Sequence, residues 1–146
     1  MHIILITGGF DPVHGGHIDY MRDAKQIGDF LIVGLNSDNW LKAKKGTNFM
    51  SFDHRKKIIE SIKYVDKVIS FDDSDGSAYD AIMQVKALYP DNKISVANGG
   101  DRKESNAPPK ELSVNNVNYV WGIGGSKTDS SSSILKKYVE SYNDTL

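Results

Sequence analysis

The chain opens on a continuous apolar run, Ile3 to Thr7, rich in β-branched residues and stopped by Gly8-Gly9. A run without polar alternation predicts a strand buried on both faces of a parallel sheet. From about Gly15 to Ile27 the period changes. Ile18, Met21, Ala24 and Ile27 recur at helical intervals, and Gly28 supplies a stop. Phe30 to Leu35 is a second buried run, and Phe52 to Ile62 predicts a helix. Ser51 or Asp53 would cap that helix, and Ile58, Ile59 and Ile62 would be its buried contacts. Val65 to Phe71 predicts a third strand. An acidic, glycine-containing loop (Asp72, Asp73, Asp75, Gly76), expected to be solvated, leads to a helix from about Ala78 to Leu88. Ile94 to Ala97 and Asn118 to Trp121 predict short strands, and Ser131 to Tyr142 a closing helix.

Strand and helix thus alternate through all 146 residues, with no repeat and no domain-sized linker. The expected fold is α/β: a single Rossmann-like domain over residues 1–146, with a mostly parallel five-stranded sheet and helices on both faces. Ligands bind such sheets beyond the carboxyl ends of the strands, near the point where strand order reverses. The loops at those ends, residues 8–17, 36–46, 98–102 and 122–133, hold two of the four histidines and many of the glycines, lysines and serines.

Composition narrows the chemistry. A net charge of -1 gives no general attraction to nucleic acid or to an anionic membrane, so neither is an expected partner. The chain has no cysteine, which excludes a disulfide scaffold, a zinc-thiolate site and a thiol nucleophile together. The first apolar run is too short for a signal-peptide core, and no window reaches the roughly 20 apolar residues of a membrane span. A cytoplasmic location is expected. His2 and His54 read as structural, and the tyrosines and tryptophans of the strands as core, with Trp121 beside Gly122 placed to line a pocket.

The loop Gly8-Gly9-Phe10-Asp11-Pro12-Val13-His14-Gly15-Gly16-His17 carries the chemistry. Glycines let backbone approach a bulky anion, and a helix N-terminus offers free amides at its positive dipole end. His14 and His17, three apart, share one helix face and can donate to the same phosphate. In its strand–loop–helix setting the string resembles the nucleotidyltransferase superfamily with the signature Gly-x-Phe-Asp-x-x-His-x-Gly-His. It stands near the glycerol-3-phosphate cytidylyltransferases and the heptose-phosphate nucleotidyltransferases. Further matches are Asp29 to Asp38, the lysine loop Lys42-Lys44-Lys45-Gly46, His54-Arg55-Lys56 with Tyr64-Val65-Asp66, Asn98-Gly99-Gly100-Asp101, and Ser130 to Ser133 before Ile134.

The resemblance implies that an acceptor phosphate oxygen attacks the α-phosphorus of an NTP and releases pyrophosphate. The nucleophile is already an anion, so catalysis reduces to alignment and charge stabilisation. His14 and His17 would stabilise the developing charge, and Lys44 and Lys45 would close over the triphosphate. Gly8, Gly9, Phe10 and Gly16 would cradle the nucleotide, Ser131, Ser132 and Ser133 would bind its phosphates, and Asp101 would read the nucleoside. Asp11, Asp38 and Arg55 are assigned to the acceptor. Mg²⁺ would bridge the phosphates with few protein ligands, no residue being assigned to a metal. A homodimer is expected.

The pattern departs in two places. The cytidylyl group usually carries Arg-Thr-x-Gly-Ile/Val-Ser-Thr-Thr before the last helix. Here residues 124–133 lack the arginine, leaving Lys127 as the available cation for the nucleotide. Arg102 and the segment Lys103 to Pro109 have no counterpart. CTP is favoured over ATP, and adenylyl transfer to a sugar phosphate is the alternative. A non-catalytic nucleotide-binding sensor is the reading from another class, against which the intact histidine pair and lysine loop weigh.

Overall fold

The computed structural model describes residues 1–100, 102–125 and 130–145. Five strands form one sheet: β1 (His2–Gly8), β2 (Phe30–Leu35), β3 (Lys67–Ser70), β4 (Lys93–Gly99) and β5 (Asn118–Ile123). All neighbouring pairs are parallel, in the order β3-β2-β1-β4-β5. This is a Rossmann-like sheet. The helices among the described residues are α1 (Gly15–Ile27), α2 (Asp38–Lys45), α3 (Phe52–Glu60), α4 (Tyr79–Leu88), α5 (Pro109–Leu112) and α6 (Ser131–Thr145).

The continuous apolar runs sort into two cores by the two-residue period of a strand. Ile3, Leu5 and Ile32 pack with Ala81, Ile82 and Val85 of α4 on one face. Ile4, Ile6, Leu31 and Val33 pack with Met21 and Ala24 of α1 and Ile59 of α3 on the other. The chain winds outward from β1 through β2 to β3, then returns to place β4 on the other side of β1. Strand order therefore reverses between β1 and β4, and the loops leaving those strands part to form a crevice.

Three differences from the sequence reading have local causes. The lysine-bearing stretch expected as a loop is the helix α2, capped by Ser37 Oγ, which accepts from the Trp40 N–H, and ended by Gly46 at φ 88. Only Leu41 of α2 is buried, so its apolar period is too weak to read. The third strand starts at Lys67, because the Val65 N–H is spent on Ile62 O in a turn. Gly28 does stop α1, but in extended backbone at φ -145, and the reason for glycine is space. A Cβ there would lie 2.6 Å from the His2 carbonyl oxygen.

Candidate active site

The first loop is built around its two histidines. His14 caps α1, its Nδ1 accepting from the Gly16 N–H at 3.1 Å. His17 Nδ1 accepts from the His14 N–H at 3.2 Å, which completes a reciprocal capping box. With both Nδ1 atoms serving as acceptors, the proton of each neutral imidazole sits on Nε2. The rings stack with centroids 3.8 Å apart and 27° between planes. Phe10 sets its ring edge-on to His17 at 4.8 Å. Its backbone is left-handed at φ 50, which non-glycine residues rarely adopt, and its ring is 5% exposed. Two residues earlier, Gly8 has to be small because the Phe10 ring packs against it. A Cβ on Gly8 would come within 2.8 Å of the Phe10 ring.

A cavity of about 860 Å³ opens at the carboxyl ends of β1 and β4, within the range of small-molecule sites. Gly8, Gly9, Phe10, His14, Gly16, His17, Lys44, Lys45, Ser131 and Ser132 all line it, as the sequence reading requires of a common site. Ser133 does not line the cavity; its N–H donates to Ser130 Oγ at 3.0 Å. Ser131 Oγ donates to Pro12 O at 2.7 Å and so hooks the start of α6 onto the first loop. Asp101 and Lys127 lie outside the described residues. Trp121 is half-buried, stacks near Tyr119, and is not among the lining residues. His2 Nε2 meets Ser95 Oγ at 2.7 Å, and His54 is exposed on α3.

On the α2 wall, Lys45 Nζ donates to Asp11 O at 3.0 Å, and burial lowers its pKa below the ordinary lysine value against the opposing pull of Asp11. Lys44 Nζ lies 4.7 Å from the centre of the Trp40 ring.

The three residues assigned to the acceptor are placed differently from that expectation. Arg55 is 0% exposed, and its guanidinium donates to Met50 O, Gly9 O, Asn36 O and Asp38 Oδ1 at 2.7–3.1 Å. Asp11, 1% exposed, accepts from the Phe49 N–H and the Met50 N–H at 2.5 and 2.7 Å. None of the three lines the cavity. A buried guanidinium must find an acceptor for nearly every N–H, and the carbonyls of these loops supply them. Arg55, Asp38 and Asp11 therefore hold the first loop, the start of α2 and the α2–α3 loop in register with each other. An Asp11→Ala variant, which strands two backbone amides, is expected to lose about 1–3 kcal/mol in chemical denaturation.

Sequence reasoning also missed Asp73 within the supposedly solvated acidic loop. Its carboxylate is buried and accepts from Asn36 Nδ2, the Ser37 N–H and Ser37 Oγ at 2.8–3.1 Å. Tyr20 and the pair Arg102–Glu111, also cavity residues, carried no motif signal beyond the lack of a counterpart for Arg102. Among the described residues no group of three or more His, Asp and Glu side chains is placed to hold a metal ion. Nor is any described helix long and apolar enough to cross a membrane.

Residues 5–120 match the family model described as cytidylyltransferase-like, which is most of the chain. The chain belongs to the cytidylyltransferase-like family. Relatives of this cytidylyltransferase-like protein include the glycerol-3-phosphate cytidylyltransferase of Bacillus subtilis (strain 168), 42% identical over 69 residues, 47% of this chain and 54% of that one. The bifunctional protein HldE of Helicobacter pylori (strain P12) is 32% identical over 144 residues, 97% of this chain and 29% of the longer protein. The match thus spans about half of the first relative and under a third of the second. Among solved structures, a bifunctional NMN adenylyltransferase/ADP ribose pyrophosphatase from Francisella tularensis, complexed with AMP and a manganese ion, superposes with a TM-score of 0.69. Identity there is 18% over 95% of this chain and 42% of that chain, a likeness of fold.

Proposed function

We propose that this cytidylyltransferase-like protein is a nucleotidyltransferase that moves CMP from CTP onto the phosphate of a small acceptor such as glycerol 3-phosphate, releasing pyrophosphate. One observation supports this above all. Two imidazoles with Nδ1 held by backbone amides stand stacked at the N-terminus of α1, on the wall of a nucleotide-sized cavity. Their Nε2–H groups are preorganised donors, suited to an anion that gains charge in the transition state.

In the reaction an acceptor oxygen forms a bond to the α-phosphorus, while the bond from that phosphorus to the α–β bridging oxygen breaks. The electron pair leaves with pyrophosphate. His14 and His17 donate to the α-phosphoryl and leaving-group oxygens, and the amides at the start of α1 add the helix dipole. Lys44 and Lys45 cover the β- and γ-phosphates from the α2 wall. Mg²⁺ arrives on the triphosphate as part of the substrate, held chiefly by phosphate oxygens and water.

The Bacillus relative favours the cytidylyl form of the reaction. A second reading, adenylyl transfer to a sugar phosphate, is favoured by the departure of residues 124–133 from the arginine-bearing cytidylyl pattern. The test is pyrophosphate release across CTP, ATP, UTP and GTP against several acceptor phosphates, with Mg²⁺. Release that requires CTP together with one acceptor is the expected result. An ATP requirement selects the second reading, and silence in a folded protein that binds NTP overturns both.

A further inference from the structure

The same cavity is also lined by the β3–α4 loop, the carboxyl end of β4 and the segment leading into α5. Gly76, Ser77, Ala78, Asn98, Arg102 and Glu111 line it. Glu111 is 3% exposed, which for a carboxylate demands compensation. Its Oε1 accepts from the Ala78 N–H at 2.7 Å, and its Oε2 from Arg102 Nη2 at 2.6 Å. The Tyr119 hydroxyl donates to Glu111 O, and the Arg102 N–H to Gly99 O. Arg102 is thus anchored at its backbone and at one end of its guanidinium. Among the described residues, Nε and Nη1 meet no protein acceptor, and the side chain is 31% exposed.

A transfer site needs a cation for the acceptor's phosphate, and Arg55 has no N–H edge facing the cavity. We infer that Arg102, aimed by Glu111, binds the phosphate monoester of the acceptor in this part of the cavity, an inference that rests on the transfer reading above. A planar fork with one edge committed to a buried carboxylate and the other open fits two phosphate oxygens at once. Burying the partner carboxylate fixes the direction of that open edge. Arg102 also reaches the histidine-bearing helix electrostatically. Burial raises the pKa of the Tyr20 hydroxyl, and the charge on Arg102 pulls it back down. Arg102 follows β4 and the lysines of α2 follow β2, on opposite sides of β1 around one cavity, an arrangement suited to attack opposite the leaving pyrophosphate.

The test compares wild type with Arg102→Gln, Arg102→Lys and Glu111→Gln, using CTP and glycerol 3-phosphate, or the pair found active in the substrate grid. Arg102→Gln is expected to raise the acceptor KM about tenfold or more, the loss of charge-assisted hydrogen bonds. Calorimetric CTP affinity should stay near that of wild type, while the melting temperature falls because the buried Glu111 carboxylate loses its cation. Arg102→Lys keeps the charge without the fork and should fall between. Glu111 is a positioning residue, so Glu111→Gln should raise acceptor KM in the wild-type background but add little to Arg102→Gln. An unchanged acceptor KM in an active enzyme would overturn the role of Arg102 and leave the transfer reading standing. Weakened CTP binding with normal acceptor KM would assign Arg102 to the nucleotide and overturn it as well. A folded wild type that binds CTP but transfers to no acceptor would sink the transfer reading, and this role with it.

Discussion

A His17→Ala variant is expected to bind NTP and acceptor almost as wild type does, yet to turn them over about 10²-fold more slowly or worse. The Nε2–H of His17 donates to charge that grows only as the α–β bond breaks, so its loss falls on kcat and spares KM. The variant also loses one capping acceptor for α1, because His17 Nδ1 takes the His14 N–H. That cap contributes about 1 kcal/mol, too little to unfold a domain of ordinary stability. A His17→Gln variant separates the two losses. Glutamine at this third helical position restores the reciprocal cap but offers an amide donor at a different reach. Thermal melts should show the Gln variant like wild type, and steady-state kinetics should show it still well below wild type in kcat. Equal kcat in all three proteins would remove His17 from the chemistry.

The largest stability effect should come from Arg55. Truncation to alanine leaves the carbonyls of Gly9, Asn36 and Met50 without their guanidinium donor and Asp38 without its cation. Losing a fully buried side chain and leaving three carbonyls without a donor together cost about 3–5 kcal/mol. In a domain of this size that lowers Tm by about 10 °C or more. Arg55→Lys should recover little, since one ammonium cannot reach four separated acceptors. Had Arg55 served the acceptor phosphate, alanine would leave Tm almost unchanged and raise acceptor KM. Thermal melts and acceptor titrations on the same variants distinguish the two roles.

These two residues also mark how far the sequence could be read. The His14–His17 pair was legible because its geometry is local: three residues on one helix face bring both rings together wherever the helix goes. The strands were legible because Ile3 to Thr7 and Phe30 to Leu35 are apolar without interruption, which only a doubly covered parallel sheet accommodates. Helix α2 was not, since a single buried Leu41 among lysines leaves no period to detect. Arg55, Asp11, Asp73 and Glu111 failed for a different reason. Their partners lie 33 to 46 residues away in sequence for the contacts that define them. An arginine or aspartate near a phosphate signature suggests a ligand contact by type alone, whereas the fold buries Arg55 and Asp11 away from the cavity lining. Glu111 gave no signal until the fold set it against Ala78 and Arg102.

The most direct measurement follows the α-phosphorus itself. The protein is incubated with Mg²⁺, a glycerol phosphate acceptor and NTP labelled at the α-position, alongside a second sample labelled at the γ-position. Nucleotidyl transfer predicts α-label covalently joined to the acceptor and γ-label only in pyrophosphate. Label from the γ-position on the acceptor, or α-label recovered only in free nucleotides while the folded protein binds NTP, would contradict it.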